Sequence, residues 1–555
     1  MLDGFVPWPD EFVNLYRAKG YWEDLTLAQQ FDRWVQQYGD RPAIVQDGRE
    51  ITYRQMDRYS TNLAYHLARL GLSTYDRVIF QLFNSPELVC LFYACQKVGA
   101  IPICSLPTHR WHEIAHFAGI AGAKAHAIPK GKVKDFDFEE FADEIGRSFP
   151  HVEIVLTMGT PEMPGHHSLD ALMQDNVDPE VARASLDVFR PDPLEPAVFQ
   201  LSGGTTDVPK IVPRTHNDYY YNARCEAIAQ NFDQDTRCVV PMPLTHNMPM
   251  VCGVIPTHIV GGLLVLPTGT TTDAVMDSMC RYRANNLLTV PVIMHRMLET
   301  TDKQRKQYDL SSFRWLWWGG NPVEPDKQLQ FREVFGCDTN QVFGMAEGMI
   351  SWTRVNDPLE VKLHTQGRPV SEGDEVIIAD VNTGDPLPDG MTGELWVRGP
   401  YTIRGYYKAV ERNREAFTPD GYYRTGDLMK RDESGNLVFM GRVKDCISRG
   451  VEKINAEEVE KHILTFPKVR AVAVVAMPDK IMGERACAFV VPETDAIFSL
   501  AELTDFLINH CRIAKFKVPE RLEFAEELPI SKVGKYEKKT LRERIAQILR
   551  EEGEL

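Results

Sequence analysis

The run LSGGTTDVPKIVPRTH at residues 201 to 216 gathers small, hydroxyl-bearing and cationic side chains in a form suited to a phosphate. Gly203 and Gly204 lack a Cβ, so successive backbone N–H groups can turn toward one anion, while Ser202, Thr205 and Thr206 add hydroxyl donors. Lys210 brings a positive charge. By turn chemistry alone a Gly-Gly pair beside Ser and Thr is a solvated bend; the rest of the string favours an anion site. This is not the G-x-x-x-x-G-K-[ST] nucleotide loop, because Pro209 stands where that pattern needs its second glycine.

Four further stretches carry charge at spacings that could serve a nucleotide. NQVFGMAEG, residues 340 to 348, sets an apolar strand ahead of Gly344 and the carboxylate of Glu347. YYRTGDL, residues 422 to 428, puts Asp427 after a strand and a glycine, where a carboxylate can accept two sugar hydroxyls. GRVKDCISRGVEKINAEEVE, residues 441 to 460, combines Arg442, Lys444, Asp445 and Gly450 with a helix whose first turn is acidic. PISKVGKYEKKTLRE, residues 529 to 543, holds Lys535 after a glycine in a basic run. Taken singly, each also reads as a strand end, a surface turn, a charged loop or a solvated face.

Together, and in this order from about residue 25 to 550, the five stretches resemble the adenylate-forming enzymes: acyl-CoA synthetases, nonribosomal adenylation domains and aryl-acid AMP ligases. That resemblance implies ATP and Mg²⁺ as cosubstrates. It implies that Ser202, Gly203, Gly204, Thr205, Thr206 and Lys210 hold the phosphates, and that Gly320, Asn321, Val342, Phe343, Gly344 and Met345 lie beside the rest of ATP. Glu347 would hold magnesium, a cation suited to carboxylate plus phosphate ligation, and Asp427 and Arg442 would hold the ribose. Lys444 would be the hinge about which a small domain turns between two half-reactions, and Lys535 the catalytic lysine.

THNMPMVCG at 245 to 253, with RGPYTIRGYYKA at 398 to 409, is similar to the stand-alone aryl-acid AMP ligases of siderophore pathways, which activate 2,3-dihydroxybenzoate or salicylate. The likeness implies an acid pocket of His246, Asn247, Met248, Cys252, Trp318 and Gly319, with Asn247 on the carboxylate or 2-hydroxyl and His246 at the mouth. A thiol at Cys252 hydrogen-bonds weakly, which favours salicylate where a serine would favour the dihydroxy acid. Met248 replaces an aromatic residue usual in that group, the segment is one residue shorter after Cys252, and Trp317 and Trp318 replace smaller residues. If Trp318 enters the cavity, anthranilate or 3-hydroxypicolinate becomes the substrate; if it enters the core, salicylate stands. Val451 replaces a second glycine near the incoming thiol arm. The acceptor expected is a separate phosphopantetheinylated aryl carrier protein, or CoA in a ligase of the same fold; a catalytically silent nucleotide-binding protein is the remote alternative.

Positioning these loops requires an α/β architecture. RVIFQLFNS followed by PELVCLFYACQKVGAIPICS reads as strand, helix, strand, and such alternation implies a parallel sheet with crossover helices. PAIVQDGREITYRQMDRYSTNLAYHLARLG reads as a hairpin and a long helix, and residues 1 to 25 as an irregular arm. From about 365 to 440 short strands predict a small antiparallel β layer, and beyond Arg442 a compact α+β pattern follows. The fold expected is a large α/β domain with that β layer over 1–441, and a small mobile α+β domain over 442–555. With 555 residues more than one core is expected. A net charge of −16 argues against a dominant nucleic-acid or anionic-membrane partner. The 11 cysteines lack C-x-x-C spacing and read as reduced cytoplasmic thiols. The N-terminus has no basic and apolar regions of a signal peptide, and 248–267 is too interrupted by glycine and proline to span a bilayer, predicting a buried helix and a strand instead.

Overall fold

The structure, a computed structural model, describes residues 2–202, 209–320, 323–449, 452–479, 482–494, 496–511, 513, 515–530 and 536–554. The chain divides into two compact units, one of residues 1–204, 208–375 and 397–423, the other of 205–207, 376–396 and 424–555.

In the first unit the alternation of strand and helix yields two large sheets. One is seven-stranded, in the order Ile211–Thr215, Pro196–Leu201, Ile101–Cys104, Arg77–Phe80, Ala125–Pro129, Ile154–Met158, His167–Ser168. Its pairs are parallel except the hairpin of Pro196–Leu201 with Ile211–Thr215, the arms of the expected phosphate loop. The crossover helix Pro86–Val98 starts where the Ser85 side chain accepts from Leu88 N and ends at Gly99 with φ 74°, a left-handed stop that glycine takes without a Cβ clash. Apolar on all sides, it is buried on nearly all sides.

The other sheet is nine-stranded, in the order Arg368–Pro369, Ile350–Trp352, Asp338–Gly344, Trp315–Gly319, Asn286–Thr289, Arg237–Val239, Leu263–Val265, Pro42–Gln46, Arg49–Thr52. From Asp338–Gly344 to Pro42–Gln46 the pairs are parallel, and the edges are antiparallel. The edge hairpin turns at Asp47 and Gly48, with φ of 51° and 80°, the backbone that a two-residue hairpin turn requires. Being buried on both faces, the parallel strands alternate between two cores: Trp317 packs with Met250, Cys252, Val342 and Trp352, and Trp318 with Val239, Val265, Leu287 and Phe331.

The membrane-like run folds into the π-helix Pro249–Val254, the α-helix Ile255–Ile259 and the strand Leu263–Val265, all inside the protein. No helix among the described residues is long and apolar enough to cross a membrane. The amino-terminal arm differs from the expectation. Asp10–Ala18 is a helix, entered at Pro9, with Asp10 and Glu11 in its first turn and Val13 and Tyr16 buried in an aromatic cluster with Trp8, Trp22 and Tyr401. Flanking prolines and glycines mask its short apolar stripe in the sequence.

The second unit holds a four-stranded sheet, Glu375–Ala379, Gly393–Arg398, Tyr423–Arg431 and Leu437–Arg442, lying almost wholly within it. Its carboxy-terminal part pairs Glu452–Asn455, Cys446–Arg449, Gly483–Pro492 and Val469–Asp479 in order, with Arg521–Phe524 alongside Gly483–Pro492. The helices Ala456–Leu464 and Lys538–Glu551 pack their apolar stripes against this sheet, as the α+β pattern anticipates.

Candidate active site

Three loops of the first unit meet because parallel strands deliver them to one edge. The strands Arg237–Val239, Trp315–Gly319 and Asp338–Gly344 run in the same direction, so the segments that follow them, 240–248, 319–320 and 344–347, all leave from the carboxyl end of the nine-stranded sheet. In open α/β sheets that edge is where ligands bind.

The expected phosphate loop is closed at its neck by an exchange of hydrogen bonds. Ser202 N donates to the Lys210 carbonyl at 3.0 Å, and Lys210 N donates to Ser202 Oγ at 3.2 Å. Gly203, Gly204, Thr205 and Thr206 lie outside the described residues. The Lys210 ammonium stands 5.5 Å from the ring centroid of Tyr406, whose hydroxyl donates to Glu347 Oε1 at 2.6 Å. Burial, and next the Glu347 charge, drive the Tyr406 hydroxyl far above its ordinary pKa, so it remains a donor. Glu347 is itself buried, its carbonyl accepting from Ile403 N at 2.8 Å. No group of three or more His, Cys, Asp or Glu able to cage a metal occurs among the described residues. A lone, oriented carboxylate fits magnesium shared with phosphate oxygens rather than a metal held by protein alone.

Arg214 joins these parts. Fully buried, it donates from Nε to Asp218 Oδ1 at 2.7 Å, from Nη1 to the Ala346 carbonyl at 3.0 Å, and from Nη2 to Asn222 Oδ1 at 3.2 Å. It therefore ties the hairpin behind the phosphate loop to the residue before Glu347. Sequence reasoning singled out neither Arg214 nor Tyr406. The signal for Arg214 was an Arg-Asp pair four residues apart, Arg214 near the end of the strand Ile211–Thr215 and Asp218 in the first turn of the helix His216–Ala229; Tyr406 lay within a quoted motif without a role.

Of the residues expected to form the acid pocket, Met248, Cys252 and Gly319 share one sheet face. Gly319 pairs in register with Val342, and a Cβ on Gly319 would lie 2.2 Å from Val342 Cγ1 and 2.8 Å from Met248 Sδ. The glycine thus leaves room that Met248 and Val342 share. Gly320 follows exposed, with φ 111°, and Phe343, Gly344 and Met345 continue along the same edge. His246 is exposed, its Nδ1 accepting from Met248 N at 3.4 Å. Asn247 is buried, and its Oδ1 has no hydrogen-bond partner, as suits a group that meets a ligand. Cys252 is buried on the same face, and burial raises its thiol pKa well above the ordinary value, with the neighbouring Glu226 carboxyl adding to the rise. Trp318 takes the core direction: strand alternation turns it to the opposite face from Trp317, Gly319 and Cys252, so it does not line the face on which Met248 stands. Asn321 lies outside the described residues.

In the second unit Asp427 and Arg442 are register partners on adjacent strands, with Arg442 Nε 3.0 Å from Asp427 Oδ1. Lys444 lies in the 3-10 turn Val443–Asp445, its side chain outside the description, and Asp445 Oδ1 accepts from Arg542 Nη1 at 3.2 Å. Val451 and Lys535 lie outside the described residues.

Comparison with known proteins agrees with this geometry. Residues 31–407 match the family described as AMP-binding enzyme, and residues 458–535 match the AMP-binding enzyme C-terminal domain. A salicylyl-CoA synthase / salicylate adenylyltransferase from Streptomyces sp is 41% identical, covering 98% of this chain and 97% of that protein. The 2,3-dihydroxybenzoate-AMP ligase of Bacillus subtilis is 39% identical over 99% of both. The apo structure of Mycobacterium smegmatis MbtA superposes with a TM-score of 0.74 at 35% identity, covering 98% of this chain and 99% of that one.

Proposed function

Because the chain belongs to the AMP-binding enzymes, we propose that it activates a 2-hydroxyaryl carboxylic acid, salicylate or 2,3-dihydroxybenzoate, with MgATP. A carboxylate oxygen attacks the α-phosphorus, the bond to pyrophosphate breaks, and aryl-AMP forms. A thiol then attacks the acyl carbon, AMP leaves, and the thiol proton passes to solvent or a base.

The observation that carries this reading is the shared carboxyl edge of the nine-stranded sheet, onto which Asn247, Gly319, Val342 and Glu347 all emerge. Asn247 would orient the carboxylate, and Met248 and Val342 would flank a planar ring in the space left by Gly319. Lys210 would balance phosphate charge, Tyr406 would hold Glu347 for magnesium, and Arg214 would keep the two loops in mutual position. Oriented binding of this kind turns a bimolecular attack into a nearly unimolecular one. Asp427 and Arg442 would hold the ribose. Residues 1–441 and 442–555 would act as the two domains, with Lys444 as hinge and Lys535 reaching the charge that builds as pyrophosphate leaves.

The acceptor we favour is a separate aryl carrier protein of a siderophore-type pathway in the cytoplasm, and free CoA is the second reading, favoured by the name of the Streptomyces relative. Acid-dependent ATP–pyrophosphate exchange across benzoate, salicylate, 2,3-dihydroxybenzoate, anthranilate and 3-hydroxypicolinate tests the first step. Exchange led by a 2-hydroxybenzoate supports it, and a flat response to every acid refutes it. Acyl transfer to CoA against transfer to a phosphopantetheinylated carrier separates the two acceptors.

A further inference from the structure

A ladder of polar residues spaced by four runs through the interior of the first unit: Arg214, Asp218, Asn222, Glu226 and Gln230, each fully buried. All but Arg214 and Gln230 lie on the helix His216–Ala229, which begins just beyond the phosphate hairpin. At the phosphate end Arg214 donates to both Asp218 and Asn222, and of that end only Asn222 Nδ2 is left without a partner. At the far end it is not: Glu226 Oε1 and Gln230 Oε1 have no partner in hydrogen-bonding geometry. A buried polar atom left unpaired is costly, and native structures keep few without a reason.

That far end meets Cys252, the residue expected at the floor of the acid pocket. Gln230 Nε2 donates to the Cys252 carbonyl at 2.9 Å, and the Cys252 thiol, a weak donor, faces the Glu226 carboxyl without giving Oε1 a bond of full hydrogen-bonding geometry. Glu226 Oε2 accepts from the Trp352 indole N–H and, at 3.4 Å, from Gln230 Nε2, so Oε2 is occupied and Oε1 is the atom left over. Cys252 sits in the π-helix Pro249–Val254, directly after Met248, and shares its core face with Trp317, Val342, Ile350 and Trp352. A π-helical turn widens the helix and is frequent at functional sites. The segment that leaves the sheet edge passes from the exposed His246 through buried Asn247 and half-buried Met248 to the fully buried Cys252, and Glu226 stands beside the Cys252 thiol.

We propose that Glu226 is a specificity-determining residue of this pocket, and that the acid it selects carries a hydroxyl on the ring edge remote from the carboxylate. Such a hydroxyl both donates and accepts, so it pairs with Oε1 directly or through a shifted Cys252 thiol, whereas an unsubstituted ring edge leaves that oxygen unpaired. A site built around a polar group discriminates strongly against a ligand that lacks the partner. This rests on the reading that the chain activates a 2-hydroxyaryl acid, and narrows it from salicylate toward its hydroxylated relatives.

The test is pyrophosphate exchange by the full-length protein with salicylate and with 2,3-, 2,4- and 2,5-dihydroxybenzoate, for wild type, Glu226→Gln and Glu226→Met. Wild type should favour one dihydroxy isomer over salicylate by about tenfold in kcat/KM, a typical worth for one buried hydrogen bond. Glu226→Gln, which keeps an acceptor for Trp352 and a polar atom toward Cys252, should retain part of that preference; Glu226→Met should bring it within about threefold while exchange with salicylate persists. Wild type favouring salicylate over all three isomers, or an unchanged ratio in Glu226→Met, overturns the proposal while leaving aryl-acid activation standing. Should Glu226→Met not fold, the wild-type ranking and the partial loss in Glu226→Gln decide, a full wild-type preference in Glu226→Gln counting against it. No exchange with any of the four acids overturns both the proposal and the reading beneath it.

Discussion

Gly319→Ala is the smallest change that should reach the acid pocket. The added Cβ would stand 2.2 Å from Val342 Cγ1 and 2.8 Å from Met248 Sδ. Carbon contacts are at ease near ~3.5–4.0 Å, so Val342 must yield by more than about 1 Å and Met248 by somewhat less. Met248 is unbranched and half-buried and can swing away, into the space proposed for the ring. Val342 is β-branched, confined to few rotamers, and held in register opposite residue 319 by the parallel ladder, so its relief must come from the backbone. Overpacking of this kind costs about 1–3 kcal/mol, and the same displacement of Met248 should raise KM for the aryl acid about tenfold. Val342→Ala removes two methyl groups and on its own costs about 1.5–2 kcal/mol. The double variant Gly319→Ala with Val342→Ala returns the cavity to the new methyl, so it should be more stable than the sum of the singles by about 1–2 kcal/mol. Urea unfolding followed by tryptophan fluorescence reports on this directly, since Trp317 and Trp318 precede the substituted position; the transition of the first unit is the one to fit, because two units need not unfold together. Additivity within about 0.5 kcal/mol, or a wild-type midpoint for Gly319→Ala, would refute the contact on which the reasoning rests.

Tyr406→Phe removes the hydroxyl that orients Glu347 and should raise the magnesium concentration for half-maximal exchange about tenfold, with KM for the acid unmoved; an unchanged magnesium curve counts against Tyr406 as the positioning residue. Burial lifts the Glu226 pKa from 4.5 to about 8. Below 4.5 the carboxyl is protonated in both folded and unfolded chains; between 4.5 and 8 only the unfolded chain ionises, so stability falls as pH rises, by an amount on the order of a few kcal/mol at pH 8. Glu226→Gln cannot ionise, so its Tm relative to wild type should climb across that window and level off above it, and a constant gap would show that the carboxyl is not held neutral. Lys535→Ala should suppress aryl-AMP formation far more than acyl transfer from supplied aryl-AMP, and an equal loss in both steps would remove Lys535 from the first.

Much of the proposed machinery is legible along the chain because the loops expected to hold phosphate, ribose and magnesium draw their chemistry from contiguous residues. Ser202 and Lys210, Glu347, and Asp427 near Arg442 are recognisable from short strings, and strand-helix alternation announces the two sheets that carry the first three, the seven-stranded one beside Ser202 and Lys210 and the nine-stranded one ahead of Glu347. The capped helix Pro86–Val98 and the Asp47-Gly48 hairpin follow from local rules that hold whatever surrounds them.

Other features depend on which face of an element meets the core, and no local rule supplies that. Alternation separates Trp317 from Trp318, yet either could have faced the pocket; only the layers packed on each side of the sheet send Trp318 to the opposite core and leave Gly319 open to Met248. A polar stripe at 218, 222, 226 and 230 reads as the wet side of a surface helix, because spacing four marks a face without saying what covers it. Burying that stripe beside Cys252 and Trp352 turns ordinary solvent contacts into a ladder anchored on Arg214 at one end and an unpaired carboxyl oxygen at the other. The sequence by itself determined the family and the loops proposed to do the chemistry; tertiary packing alone decided which side chains the proposed acid pocket would present, since burial belongs to the assembled layers and not to any one segment.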